Sequence, residues 1–153
     1  MKVAISGSRG PDPSRGRMNG WTDIIFIERL LMKLSAAGAS IIVGDAPSGV
    51  DYCVRLVAAK HDTISISDPY KANWNIEGRA AGSNRNKRMI ADADKLIAIF
   101  ADGPKSPGTS NAVMWANKKG IPVFAYHEGN WDGPVDRLTS PVLAGIMRKH
   151  EEE

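Results

Sequence analysis

The stretch Lys95–Lys119, KLIAIFADGPKSPGTSNAVMWANKK, limits the fold more than any other part of the chain. Leu96 to Phe100 is an apolar run too short for a helix and right for a buried strand. The Gly- and Pro-rich loop Asp102, Gly103, Pro104, Lys105 follows. Ser106 and Pro107 then read as an N-cap residue and a proline at the first helical position. Gly120 and Pro122 stop that helix. The unit is strand, tight loop, helix N-terminus. Unpaired amides and the macrodipole make such an end attractive to an anion. Gly108 opens the backbone to a ligand and Lys105 adds a charge, so a phosphate fits this end.

The rest of the chain repeats the alternation. Lys2 to Ser6 is a first strand, and Gly7 to Gly20 is a long loop loaded with Gly, Pro and Arg. Loops of that length in compact domains are usually functional or disordered. Ile27, Leu30, Leu31 and Leu34 recur at helical spacing within a helix from about Trp21 to Ala37, ended by Gly38. Ser40 to Val43 is a second strand. In the following GDAPSG turn, Ser48 and Asp51 have the spacing of a capping box, and Val50, Val54 and Val57 give the next helix one apolar face. Thr63 to Ser67 alternates as a third strand. A polar stretch from Asp68 to Gly82 carries Tyr70, Trp74 and Arg79, and Ser83 to Ala93 reads as a helix. Ile121 to Tyr126 is a fifth strand, and a last helix is expected around Asp136 to His150.

Strands alternating with helices predict a Rossmann-like, doubly wound α/β fold. About five parallel strands are flanked by helices, and residues 1–153 form one domain. Right-handed crossovers leave few topologies, and 3-2-1-4-5 is the expected strand order among them. The loops after the first and fourth strands would then flank the switch point where such sheets bind ligands. Those are the two loops already marked by their composition.

Composition narrows the partners. A net charge of +3 and a pI near 9.1 suit an anionic ligand but are weak for a nucleic-acid binder. The single Cys53 excludes an internal disulfide and a cysteine-based metal cluster, and a cytoplasmic location is expected. No apolar run approaches the roughly 20 residues that span a bilayer. His61, His127 and His150 lack metal-ligand spacing, so no metal and no cofactor are expected. No G-x-S-x-G elbow is present.

Candidate ligand-contacting residues follow from placement. Ser8 and Arg9 lie in the first loop beside Gly7 and Gly10, and Arg9 offers a phosphate a bidentate contact. Arg15 and Arg17 read better as solvated loop residues. Asp45, just after the second strand, stands where an acidic residue often accepts from ribose hydroxyls. Asp51 reads as a cap partner, and Gly44 and Gly49 as backbone constraints. Arg85, with Asn84 and Asn86, begins a helix pointing to the same edge. Trp74, in a polar loop, is placed to stack on a base or cover a pocket. Trp21, Trp115 and Trp131 read as packing residues.

The motifs GSRG, GDAPSGVD, AGSNRNKRM and SPGTSNAV, in that order, resemble the SLOG superfamily. That Rossmann-like group contains the LOG (lysine decarboxylase-like) phosphoribohydrolases, the DNA-processing protein DprA and the YpsA/YspA-type proteins. The YspA-like branch is the nearest match, over residues 2 to 126. The resemblance implies a homodimer that binds a nucleotide or nucleotide-derived ligand at the strand C-termini, with a PGGxGT-like turn cradling phosphate. It implies a pocket of Gly7, Ser8, Arg9, Gly44, Asp45, Arg85, Gly108 and Thr109. LOG enzymes cleave the N-glycosidic bond of nucleoside 5′-monophosphates and place a glutamate three residues after the motif threonine. This chain has Ala112 there, and Ser106-Pro107-Gly108 in place of PGG. A nucleotide-binding sensor or carrier is therefore the leading expectation. The alternative is a phosphoribohydrolase or deoxyribosyltransferase, with Asp45 or Asp51 as its carboxylate.

Overall fold

The computed structural model describes residues 1–17, 19–101 and 106–128. The expected Asp102–Lys105 loop with its lysine, Trp131, and the helix around Asp136 to His150 lie outside these residues.

Five parallel strands form one sheet in the order β3-β2-β1-β4-β5. They are β1 (Lys2–Gly7), β2 (Ser40–Val43), β3 (Ser65–Ile66), β4 (Lys95–Phe100) and β5 (Val123–His127). The helices between them are α1 (Ile24–Ala36), α2 (Val50–Lys60), a single turn α3 (Trp74–Glu77), α4 (Ala81–Ala91) and α5 (Pro107–Lys119). The alternation thus gives the expected Rossmann-like architecture and strand order. Strand β1 lies between β2 and β4, with Val3 opposite both Ile41 and Lys95.

The two faces of each central strand serve different layers, because successive side chains point to opposite sides. Val3 and Ile5 of β1, Ile41 and Val43 of β2, and Ile97 and Ile99 of β4 pack against α1 and α2. Ala4, Ile42 and Leu96 face α4 and α5.

Element ends explain most differences from the sequence expectations. Helix α1 starts at Ile24 rather than Trp21 because the Asp23 carboxylate accepts from the Phe26 amide, 2.9 Å away, and caps it there. Trp21, as expected, is a packing residue, buried edge-on against Phe26. Strand β3 has only two residues instead of five. The expected loop from Asp68 to Gly82 holds α3 and a 3₁₀ turn, Gly78–Ala80. Trp115 is only partly buried: its indole N–H donates to Ser83 Oγ, and Lys87 and Lys118 lie by its ring.

The capping box is not formed. Gly49, at φ +79°, is the N-cap of α2 and makes no side-chain cap bond. A β-carbon there would lie 2.2 Å from the Ser8 carbonyl oxygen, so the close approach of the first loop requires glycine. Ser48 is diverted, its Oγ accepting from the Gly10 amide at 3.2 Å. Asp51 turns inward and accepts from the backbone of Ala46.

Candidate functional site

The first loop is fixed by its neighbours on both sides. The Ser8 amide continues the ladder to the Ile99 carbonyl at 2.9 Å, and the Val50 amide donates to the Ser8 carbonyl at 3.0 Å. Ser8 Oγ accepts from the Ala101 amide at 2.8 Å and is hydrogen-bonded to Ser106 Oγ. Ser106 thus occupies the expected N-cap position of α5 but caps nothing, its hydroxyl joining the two switch-point loops instead. Gly7 is glycine because a β-carbon would fall 2.4 Å from Val50 Cγ2.

Between these loops, at the C-terminal edge of the sheet, lies a cleft of ≈460 Å³. Gly7, Ser8 and Arg9 line it from the first loop, and Gly108 and Thr109 from the start of α5. Arg85 enters from α4. Of the eight residues expected at the pocket, these six meet here. Gly44 lies beneath Arg85, and Asp45 lines an adjoining cavity of ≈540 Å³. The two cavities share Arg9, Arg17, Ala46, Trp74 and Arg85.

Arg85 is the centre of the edge. It is buried, and its Nη1 donates to Asp45 Oδ1 at 2.8 Å while its Nε donates to Asn86 Oδ1 at 2.9 Å. A β-carbon on Gly44 would lie 2.4 Å from that Nη1, so glycine here makes room for the guanidinium. Asp45 Oδ2 accepts from the Ala72 amide at 3.2 Å, which leaves both carboxylate oxygens engaged within the protein. Arg55, absent from the sequence expectations, holds the same turn by donating to the carbonyls of Gly44 and Ala46 at 2.8 and 2.7 Å. Asn86 ties α4 to α5 through the Gly108 carbonyl at 3.1 Å and Asn111 Oδ1 at 3.2 Å.

The electrostatics of the cleft are one-sided. Arg9, Arg17, Arg79 and Arg85 line it against one carboxylate, Asp51. Arg17 is turned back, its Nε donating to the Gly10 carbonyl at 2.7 Å. Arg9 and Arg79 have no side-chain hydrogen bond or ion pair among the described residues. Such guanidiniums are free to meet an anion. Burial pushes the Asp51 carboxyl up to about 6, and the Arg85 charge opposes that rise only in part. The capping-box spacing concealed this residue. A usable signal lay in its company, since Val50, Cys53 and Val54 around it are apolar and buried.

The Cys53 thiol is buried, which pushes its pKa upward and keeps it protonated. Among the described residues no group of three His, Cys, Asp or Glu could hold a metal ion, and no helix is long and apolar enough to cross a membrane.

No protein-family model and no curated protein matches this chain. Solved structures do. A structure of the molybdenum cofactor carrier protein from Chlamydomonas reinhardtii matches with a TM-score of 0.57 and 12% identity, over 99% of this chain and 98% of the other. Two further structures of the Moco carrier protein from that organism match at 0.53 with 14% identity and 0.55 with 11% identity. Each covers 99% of this chain, and 95% and 98% of the other, respectively. Identities this low speak to architecture alone: the chain shares its Rossmann-like α/β fold with these carrier proteins.

Proposed function

We propose that this chain binds a nucleotide or a nucleotide-derived phosphate ligand at the C-terminal edge of its sheet and serves as a sensor or carrier. The observation that carries the reading is the lining of the cleft, where, among the described residues, four arginines face one carboxylate and two of the four are unengaged. A phosphate would lie between Arg9, Arg79 and the uncapped first turn of α5 at Gly108 and Thr109. Guanidinium forks match phosphate oxygens, and the helix end adds its own positive potential. Ser8, Gly7 and Gly44 shape the backbone around it, while Arg85 and Asp45 hold the floor of the site. The reading treats residues 1–153 as one SLOG-like domain of a cytoplasmic homodimer. The fold neighbours are named as cofactor carriers, which favours holding a ligand over transforming it.

The test is calorimetry and thermal shift with the nucleoside 5′-monophosphates and nicotinamide mononucleotide. The intact chain should be stabilised by at least one of them. Arg9→Ala should weaken that ligand about tenfold, the order of one charge-assisted hydrogen bond, with the melting temperature of the free protein unchanged. No stabilisation by any phosphate ligand would overturn the proposal.

A second reading is favoured by Asp51. A carboxyl in the cleft wall that takes up a proton near pH 6 has the property required of an acid in N-glycosidic cleavage, where an oxocarbenium-like state forms at the sugar. Asp45, salt-bridged to Arg85, is less suited to that work. Chromatography of the same incubations separates the two readings. Released base that vanishes in Asp51→Asn would make the chain a hydrolase.

A further inference from the structure

Trp74 is large, aromatic and 52% exposed, yet it is not on a loose loop. The segment before it is held by the Asp45 carboxylate on the Ala72 amide and by Arg88 Nη2, which donates to the Lys71 carbonyl at 2.6 Å. The turn that carries it is capped by Asn73 and tied to α4 through Glu77 and Asn84. A β-carbon on Gly82 would lie 3.3 Å from Trp74 Cη2 and 3.7 Å from Cζ2, so glycine there leaves room for the edge of the indole. An indole about half in water is thus carried on a tethered turn. Singly exposed apolar residues are common, and Ile76 on the same turn is 81% exposed. The difference is location: Ile76 lines neither cavity, and Trp74 lines both.

The two cavities are both lined mainly by arginine but differ in which charges are already paired. In the second, four arginines, Arg9, Arg15, Arg17 and Arg85, face two carboxylates, with Asp12 paired with Arg15 and Arg17 and Asp45 with Arg85. The first holds the unengaged Arg79 and the start of α5. Arg79 and the helix end favour the first cavity for the anion, and the remainder of the ligand extends past Trp74 towards the second. The group between them meets the indole.

We infer that Trp74 is the stacking platform for the aromatic heterocycle of a phosphorylated ligand, and that Gly82 is the positioning residue that sets the height of this platform. This rests on the reading of the cleft as a phosphate site. A base stacks on an indole with little regard to its hydrogen-bonding pattern, so the platform confers preference for a heterocycle over a bare sugar phosphate.

The experiment compares the four nucleoside 5′-monophosphates with ribose 5-phosphate by calorimetry on the full chain. The unsubstituted protein should bind at least one nucleotide about tenfold more tightly than ribose 5-phosphate, the order of one stacking contact. Trp74→Leu should erase that preference while leaving ribose 5-phosphate affinity as it was, and Trp74→Phe should keep most of it. Gly82→Ala should reduce the preference in part, because its new methyl displaces the ring. Trp74 is half in solvent, so its variants should fold, and circular dichroism checks this. A nucleotide preference untouched in Trp74→Leu would overturn the inference and leave the phosphate site standing. Failure of every nucleotide and of ribose 5-phosphate to bind would remove both.

Discussion

The two faces of the sheet are built from different materials. On the α1 and α2 side, large branched and aromatic residues such as Ile27, Leu31, Leu34 and Trp21 close over Val3, Ile5 and Ile97. On the α4 and α5 side the described apolar contacts are fewer and smaller, with Ala4, Ala112 and Ala116 at their centre. Polar groups take over towards the C-terminal edge there: Ser83, Asn86 and Asn111 join α4 to α5 by hydrogen bonds. Small residues let the helices approach closely, and directional bonds then fix where their first turns point. One face supplies stability; the other positions Arg85, Gly108 and Thr109 at the cleft.

If this division is right, substitutions on the two sides should fail in different ways. The largest loss is expected on the first face. Leu31→Ala should cost about 2–5 kcal/mol of stability by chemical denaturation, because it removes buried methyl groups and leaves a cavity. Ligand affinity measured well below the new melting temperature should be unchanged. A drop in affinity in parallel with stability would mean that the two faces are not separable.

Arg85→Met should give the opposite pattern. It keeps much of the side-chain volume but leaves Asp45 and the buried Asp51 without their cation, which should cost about 2–3 kcal/mol. Affinity for a phosphate ligand should fall at least as far as in Arg9→Ala. Stability loss with full retention of binding would assign Arg85 to the scaffold alone.

The smallest effect tests the boundary between the faces, where Asp51 begins α2. Burial raises its carboxyl from the ordinary 3.8 to about 6, so the native state holds this proton more tightly than the unfolded chain does. Stability contributed at this position therefore falls as pH rises from about 4 to about 6. Asp51→Asn carries no such proton. Its stability relative to the unsubstituted chain should improve by about 2 kcal/mol between pH 4 and pH 7 in parallel thermal melts. A difference that stays flat across that range would show that the carboxyl is not raised in the native state.

Much of the molecule was legible before any coordinates. Short apolar runs separated by amphipathic helices pointed to parallel strands, and 3-2-1-4-5 was the expected order among the few topologies that right-handed crossovers leave. That order brought Gly7–Arg9 and Gly108–Thr109 to one edge, as their composition suggested. Misreadings came where local spacing had a tertiary competitor. Ser48 and Asp51 have the spacing of a cap, but the Gly10 amide claims one and the buried turn at Ala46 the other. Ser106 has the identity of a cap, but its hydroxyl meets Ser8, 98 residues away.

Sequence alone thus determined the main strands and helices among the described residues, how they wind, and which loops share an edge, because periodicity and turn chemistry act over a few residues. Only the tertiary structure decided which charges at that edge are already answered. Arg85 spends itself on Asp45, 40 residues distant, while Arg9 stays unengaged among the described residues. Both are arginines beside glycines and polar residues in the sequence. Whether a buried guanidinium meets a carboxylate depends on how two helices and a turn converge in space, and a single strand of text carries no such distance.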